Sequence, residues 1–274
     1  MSAAPTSATT ASDVRKSASQ KSAKRDRSAL GSRLVQAAFV IALVGLWYIG
    51  TTYGQISPIL LPNPVRVFDE LVDVLATLEF VSDLRITLFE LAVAFSISAT
   101  SGVVLGYLIS RSQYSIRVFE PLFAGIYSVP IILFLPLYIL FFGLGPASKI
   151  ALGVTTSFFP IILNTIAGFG YVERVYVLSA RSMGASDYQL FRWVLLPAAF
   201  PIILTGLRIG FTVALLSILG SETIASLAGL GHRIVHLAEG MDTARMFAYI
   251  AFAVAIALTL NTVTSSLEAR ARRR

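Results

Sequence analysis

Six stretches of about twenty predominantly apolar residues constrain this chain more than anything else in it, because about twenty such residues in a helix cross a bilayer's hydrocarbon layer. They occupy residues 34–53, 87–109, 122–142, 150–169, 198–219 and 246–266. In that solvent a spanning segment has to satisfy its own backbone, as a helix or a closed barrel. The short apolar–polar alternation of a barrel strand is absent here. Composition agrees: of 274 residues 55% are hydrophobic and only 14% charged, against about a quarter charged in soluble domains. The expected fold class is therefore all-α, a polytopic membrane protein whose single domain, 34–267, holds six transmembrane helices.

Residues 1–33 are of a different material, rich in Ala, Ser, Thr, Lys and Arg. With almost nothing to bury, such a tail is expected to be disordered. The apolar run after it exceeds a signal-peptide core, and no small-x-small cleavage site follows, so 34–53 reads as a retained span. A short basic tail, 268–274, ends the chain.

Lysine and arginine placement sets orientation. With the N-terminus inside, sixteen of the 22 fall in inside segments: seven in the first tail, then Arg111, Arg117, Arg174, Arg181, Arg192, Arg270, Arg272, Arg273 and Arg274. Five fall outside (Arg66, Arg85, Lys149, Arg233, Arg245), and Arg208 lies within a span. Both termini and the segment 170–197 are thus expected in the cytoplasm. The net charge of +7 is then a topology signal, with some attraction to anionic lipid at the tails. No nucleic-acid partner is expected, since the basic tail carries no aromatic residue to interleave.

Outside, "LPNPVRVFDELVDVLATL" predicts an interfacial helix, with Asn63 as N-cap and Pro64 in the first turn. Val65, Phe68, Leu71, Val72, Leu75 and Leu78 recur at helical spacing opposite Asp69, Glu70 and Asp73. There is no cysteine, so disulfides and thiolate metal sites are excluded. His232 and His236 stand four apart, but no third ligand is near in sequence; they read as an interfacial pair with no metal.

Enzyme chemistry lacks its parts. No G-x-x-x-x-G-K-[ST] phosphate loop exists, and the only lysine beyond the tail, Lys149, follows a serine. H-E-x-x-H and G-x-S-x-G are absent too, so no catalytic residue is assigned. What remains is a bundle that moves or anchors something. Gly102 and Gly106 form a G-x-x-x-G pair for close helix approach. Pro130 and Pro136 in the third span, and Pro160 in the fourth, disfavour straight helix. Glu90, one turn into the second span, and Arg208, in the fifth, are ionisable groups of the kind that face a bundle interior or water; snorkelling toward the cytoplasm also accounts for Arg208. Glu222, at the outer end of the fifth span, reads as interfacial. With Asn164 and the two prolines of the third span, Glu90, Arg208 and Glu222 form the candidate pathway or gate.

One polar stretch stands between the greasy ones: "SARSMGASDYQLFRWVLLPAAFP", 179–201. Ser179 to Met183 suit a helical turn, Gly184 a sharp bend, and Leu190, Phe191 and Val194 the inner face of a second helix. Leu196–Pro197 is expected to end the segment stiffly, because a residue before proline avoids helix geometry. The stretch resembles the EAA loop of the permease subunits of bacterial binding-protein-dependent ABC importers: Gly184, nine residues, Val194, any residue, Leu196–Pro197. "LPNP", "FFGLGPASKI", "SFFPIILNTIAG", "MGASDYQLFRWVLLPAAFPIILTGLRIG" and "LAGLGHRI" are similar to the nitrate/sulfonate/taurine branch of that family. Ala180 matches the second alanine of the motif, whereas Leu178 replaces its Glu and Ser179 its first Ala. Glu90 stands where that branch usually has Arg.

The resemblance implies a type I importer permease fold in the bacterial cytoplasmic (inner) membrane. It implies two permease copies, read here as a homodimer, two separate ATPases carrying ATP and Mg, and an extracytoplasmic binding protein. The chain itself would carry no cofactor and would not be an enzyme. Ser179, Ala180, Arg181, Ser182, Met183, Gly184, Ala185, Ser186, Leu196 and Pro197 would couple ATPase closure to the spans. The solute would be a sulfonate, nitrate or other small organic anion. A non-transporting membrane scaffold or passive channel is the alternative reading.

Overall fold

The computed structural model describes residues 35–36, 38–54 and 56–271, with side chains as far as residue 266. The expected tail 1–33 lies outside them, as do 272–274; the last helix continues to Ala271, beyond the expected end of the domain. Among the described residues there are helices and no strands.

The chain divides into two compact units near Arg66. The first contains α1 (Ala38–Thr52), an apolar helix shorter than the spans that follow. The Trp47 indole donates to the Pro62 carbonyl at 3.1 Å, and the Asn63 amide to Thr52 Oγ1 at 3.1 Å. The expected cap is present: Asn63 Oδ1 accepts from the Val65 amide at 2.9 Å, at the start of α2 (Pro64–Leu75). The buried residues of α2 are Val67 and Val74, whereas Val65, Phe68 and Val72 are exposed. The helix thus has two apolar faces, and the one read from the sequence is not the one that packs on protein.

The second unit is built on three long helices: α3 (Leu78–Ser110), α6 (Pro146–Gly170) and α9 (Leu196–Ile224). α6 is the centre, with 56% of its most apolar window buried, against 17% for the last helix, α11 (Thr243–Ala271). Its two neighbours approach through glycine. A Cβ on Gly102 or Gly106 of α3 would come within 2.8 Å of Ile161 and 2.7 Å of Thr165. On the other flank a Cβ on Gly206 or Gly210 of α9 would come within 2.5 Å of Asn164 and of Ile161. Two G-x-x-x-G pairs, one on each neighbour, therefore clamp α6, and van der Waals packing of this kind is what associates helices in lipid. Only the first pair was expected. The register between α3 and α6 is constant: Ser98 meets Ser157, 59 residues on, with their hydroxyls 2.7 Å apart. Ala94 meets Gly153, Gly102 meets Ile161 and Gly106 meets Thr165 at the same offset, so α3 and α6 run parallel.

The third predicted span is not one helix. α4 (Gln113–Tyr127) stops at Ser128, and the chain resumes at a 3₁₀ turn (Ile131–Phe134) leading into α5 (Leu135–Phe142), bent by 74°. Pro130 sits at the break as cap of the 3₁₀ turn. Pro136 lies in the first turn of α5, where its missing N–H would be unpaired anyway. In contrast, α6 runs unbroken through the buried Pro160. Among the described residues four helices are long and apolar enough to cross a membrane, five if the bent pair is one span.

Short helices complete the unit. α7 (Arg174–Ser182) and α8 (Asp187–Leu190) precede a π-helical turn (Phe191–Leu195) that runs directly into α9; α10 (Leu230–Glu239) connects α9 to α11.

Candidate functional site

The helix ends sort into two groups. At one end the C-termini of α3 and α6 meet α7: Arg111, Arg174 and Arg181 line one cleft with Asp187, and Gln113 Nε2 donates to the Gly170 carbonyl at 3.4 Å. At the other, Arg233 of α10 pairs with Asp83 at 2.8 Å and Glu79 at 3.3 Å, and Arg245 of α11 with Glu70 at 2.9 Å. Each group draws on segments that charge counting assigned to one side of the membrane.

The first end carries the motif segment. α7 closes in a Schellman motif, with Gly184 N donating to the Arg181 carbonyl and Ala185 N to the Ala180 carbonyl, both at 3.0 Å. Gly184 takes φ +80°, the left-handed geometry that favours glycine. Nothing lies within 4 Å of a Cβ built there, so the bend itself requires the glycine and the space around it is open. Two residues later Ser186 and Gln189 form a capping box that starts α8, at 3.3 and 2.9 Å. Arg181 and Asp187 form an ion pair across the bend.

Of the coupling residues read from the sequence, Ala180 is buried and Ala185 and Leu196 half-buried; Ser179, Arg181, Ser182, Met183, Gly184, Ser186 and Pro197 are exposed. Met183 (81%), Trp193 and Leu178 are large apolar side chains left in the open. A groove of about 490 Å³ lies beside them, lined by Tyr176, Ser179, Met183, Trp193 and Pro197 among others. Leu190 anchors the segment as a buried side chain, and Phe191 meets Tyr107 of α3 edge-on and stacks on Phe169 of α6, at centroid distances of 4.9 and 6.1 Å.

Leu196–Pro197 differs from expectation. Leu196 is helical, with φ −63° and ψ −48°, and α9 begins there without a break. The π turn explains it. Leu196 N reaches back five residues to the Phe191 carbonyl, and this wider turn accommodates a proline where an ordinary α turn would clash with its ring. The segment is stiff because it is continuous, not because it stops.

The candidate pathway residues do not form one site. Pro130 and Pro136 lie in the bent segment. Asn164 packs against Gly206 and donates to the Pro160 carbonyl at 2.7 Å. Arg208 Nε donates to Asn261 Oδ1 of α11 at 3.4 Å. Glu222 lies fourteen residues beyond Arg208, roughly 21 Å along the helix. Glu90 and Glu222, however, come together. Each is 1% exposed. Glu90 is not one turn into its helix but about three, since α3 begins at Leu78. Glu222 is buried rather than interfacial because it caps another helix: Oε1 accepts from Thr87 Oγ1 and Oε2 from the Gly231 amide, both at 2.7 Å.

That cap gives the Gly-Leu-Gly stretch its purpose. The first amides of α10 find acceptors from other helices: Gly229 N reaches Asp83 Oδ1 at 3.3 Å and Leu230 N reaches Thr87 Oγ1 at 3.0 Å. A Cβ on Gly229 (φ +108°) would lie 2.3 Å from Glu222 Oε1, and one on Gly231 would lie 2.5 Å from the Leu219 carbonyl. Lys149, counted in an outer loop from the sequence, is fully buried one turn into α6, and its ammonium donates to the Leu144 carbonyl. Pro146, at the start of α6, was the available signal that Lys149 stands in the helix and not in a loop, though not that it is buried. Asp83, Thr87 and Arg233 gave no signal, since their partners are more than 130 residues away. His232 and His236 have ring centroids 6.3 Å apart, and no group of three metal-binding side chains exists among the described residues.

Residues 99–274 match the family described as binding-protein-dependent transport system inner membrane component. The chain is 31% identical to the taurine transport system permease protein TauC of Escherichia coli, over 83% of this chain and 85% of that protein. It is 30% identical to the putative aliphatic sulfonates transport permease protein SsuC of Bacillus subtilis, covering 79% of each. It is 31% identical to the formylaminopyrimidine transport permease protein ThiX of Halalkalibacterium halodurans, over 77% of this chain and 84% of that one. Among solved structures, a chain of the MetNI methionine ABC transporter in an inward-facing conformation shares the fold with a TM-score of 0.57 at 18% identity, over 68% of this chain and 93% of that one. A chain of an amino acid ABC transporter aligns with a TM-score of 0.56 at 21% identity, covering 77% and 97%. The chain belongs to the inner membrane components of binding-protein-dependent transport systems, as an ABC importer permease of the sulfonate and taurine type.

Proposed function

We propose that this chain forms the membrane pathway of an importer for a small sulfonate or related organic anion, and that the segment from α7 to the π turn passes the motion of a partner ATPase to the spans. The exposed bend at Gly184 carries this reading. It joins two short helices, each closed by its own hydrogen bonds, beside an apolar groove. It is continuous with a transmembrane helix through the π turn, so a push on it is delivered to α9. The arginines around this end favour the cytoplasm; on that reading both termini lie inside and the chain makes six spans, counting α1 and the bent pair once each. The membrane is then the inner membrane of a bacterium. ATP and Mg reside on the partner, this chain is not itself an enzyme, a second copy completes the pathway as a homodimer, and a binding protein delivers solute from outside. The names of the relatives support a sulfonate more directly than nitrate.

The test is reconstitution with the ATPase and binding protein from the same genomic neighbourhood. Gly184→Arg is expected to leave the complex assembled and ATP hydrolysis running while uptake of taurine or an alkanesulfonate fails. Normal uptake by that variant overturns the coupling role. Failure to co-purify with any ATPase favours a scaffold or passive channel.

A further inference from the structure

The buried end of the α3–α6–α9 core holds more acid than base, and donor accounting shows where the excess goes. The constant offset of 59 residues between α3 and α6 places Glu90 across from Lys149. Glu222 enters from α9 at the same level: the antiparallel register that sets Gly206 on Asn164, Gly210 on Ile161 and Ile218 on Gly153 continues to Glu222 opposite Lys149, and Glu222 Oε1 takes the hydroxyl of Thr87, one turn before Glu90 on α3. Other charged or titratable groups surround them. Asp83 of α3 is paired to Arg233 of α10, which also meets the exposed Glu79. Tyr249 of α11 packs nearby against Phe80. Asp83 and Arg233 cancel. Lys149, within electrostatic range of both glutamates, offsets one of them and leaves one negative charge over.

The donors are shared unequally. Glu222 receives the Thr87 hydroxyl on one oxygen and the Gly231 amide on the other. Glu90 Oε2, buried in the same place, has no hydrogen-bond partner. Two ionised carboxylates in contact repel, and a buried charge without donors is costly. An acid–carboxylate contact removes both penalties. We propose that Glu90 is protonated and donates its proton to the Glu222 carboxylate, making a proton-binding site between α3, α6 and α9. Glu222 stays ionised, held by Thr87, Gly231 and the field of Lys149. Glu90 supplies a neutral donor where an ionised side chain would lack one. The site sits beside the cap on α10, so its occupancy sets the charge under the Gly-Leu-Gly turn.

Infrared spectroscopy of the full chain in lipid nanodiscs at neutral pH tests this directly. The wild type is expected to show a protonated-carboxyl stretching band that shifts on ¹³C-glutamate labelling. Glu90→Gln should abolish the band, Asp83→Asn should leave it, and Glu90→Asp should make it respond to labelled aspartate instead. Absence of a glutamate-derived band in the wild type overturns the proposal without recourse to any variant. Full persistence of the band in Glu90→Gln overturns it as well.

Discussion

The bend at Gly184 and the cap at Gly229 are both helix junctions built on a left-handed glycine, yet they are held in opposite ways. At Gly184 every hydrogen bond closing the turn comes from within six residues, and no atom crowds the glycine. At Gly229 the acceptors come from Asp83, Thr87 and Glu222 on other helices, and the glycine lies against a carboxylate. The first junction keeps its shape whatever surrounds it. The second exists only while α3, α9 and α10 stay assembled. The exposed junction, proposed to meet a partner, is thus stabilised locally, and the one inside the bundle by its neighbours.

Substitutions can break this contrast, and the largest effect belongs to the buried junction. Glu222→Ala removes the acceptor of two buried donors and the counter-charge of Lys149. We expect a loss of about 3–5 kcal/mol in the unfolding free energy of the purified protein, and a loss below about 1 kcal/mol would mean that water enters the site. Gly229→Ala adds a Cβ into the Glu222 carboxylate at a disfavoured φ, for about 2–3 kcal/mol in the same measurement. Gly184→Ala meets only the backbone penalty, about 1–2 kcal/mol. That cost should show as faster hydrogen exchange across 179–190, with global unfolding unchanged. Ser186→Ala removes one capping bond, about 1 kcal/mol, again seen in local exchange. Arg181→Ala, in an exposed ion pair, should change stability by less than about 0.5 kcal/mol. If Gly184→Ala destabilises the whole chain as much as Gly229→Ala, the two junctions are not held differently.

The same contrast governs what the sequence reveals. Gly184 and Asn63 act on backbone a few residues away, so turn and cap chemistry found the bend and the capped start of α2; the capping box of Ser186 and Gln189 is equally local and was missed. The apolar windows located the ends of the long helices to within about five residues, apart from the start of α3, which lies well before its window, and the bend before Pro130. Burial of Glu222 and Lys149 was not legible, because each depends on a register between helices far apart in the chain. Reading Leu196–Pro197 as a stop failed for a different reason. A rule about single residues does not see a π turn, which changes the geometry presented to the proline.

The doubled glycine clamp on α6 has a mechanical consequence. Side chains interleaved at 2.5–2.8 Å from where a Cβ would stand leave no slack for α3 or α9 to slide along the helix between them. The trio is a rigid slab, and any change of shape between transport states has to be absorbed at its margins, in the kinked segment at Ser128–Pro130 and in the loosely covered α11.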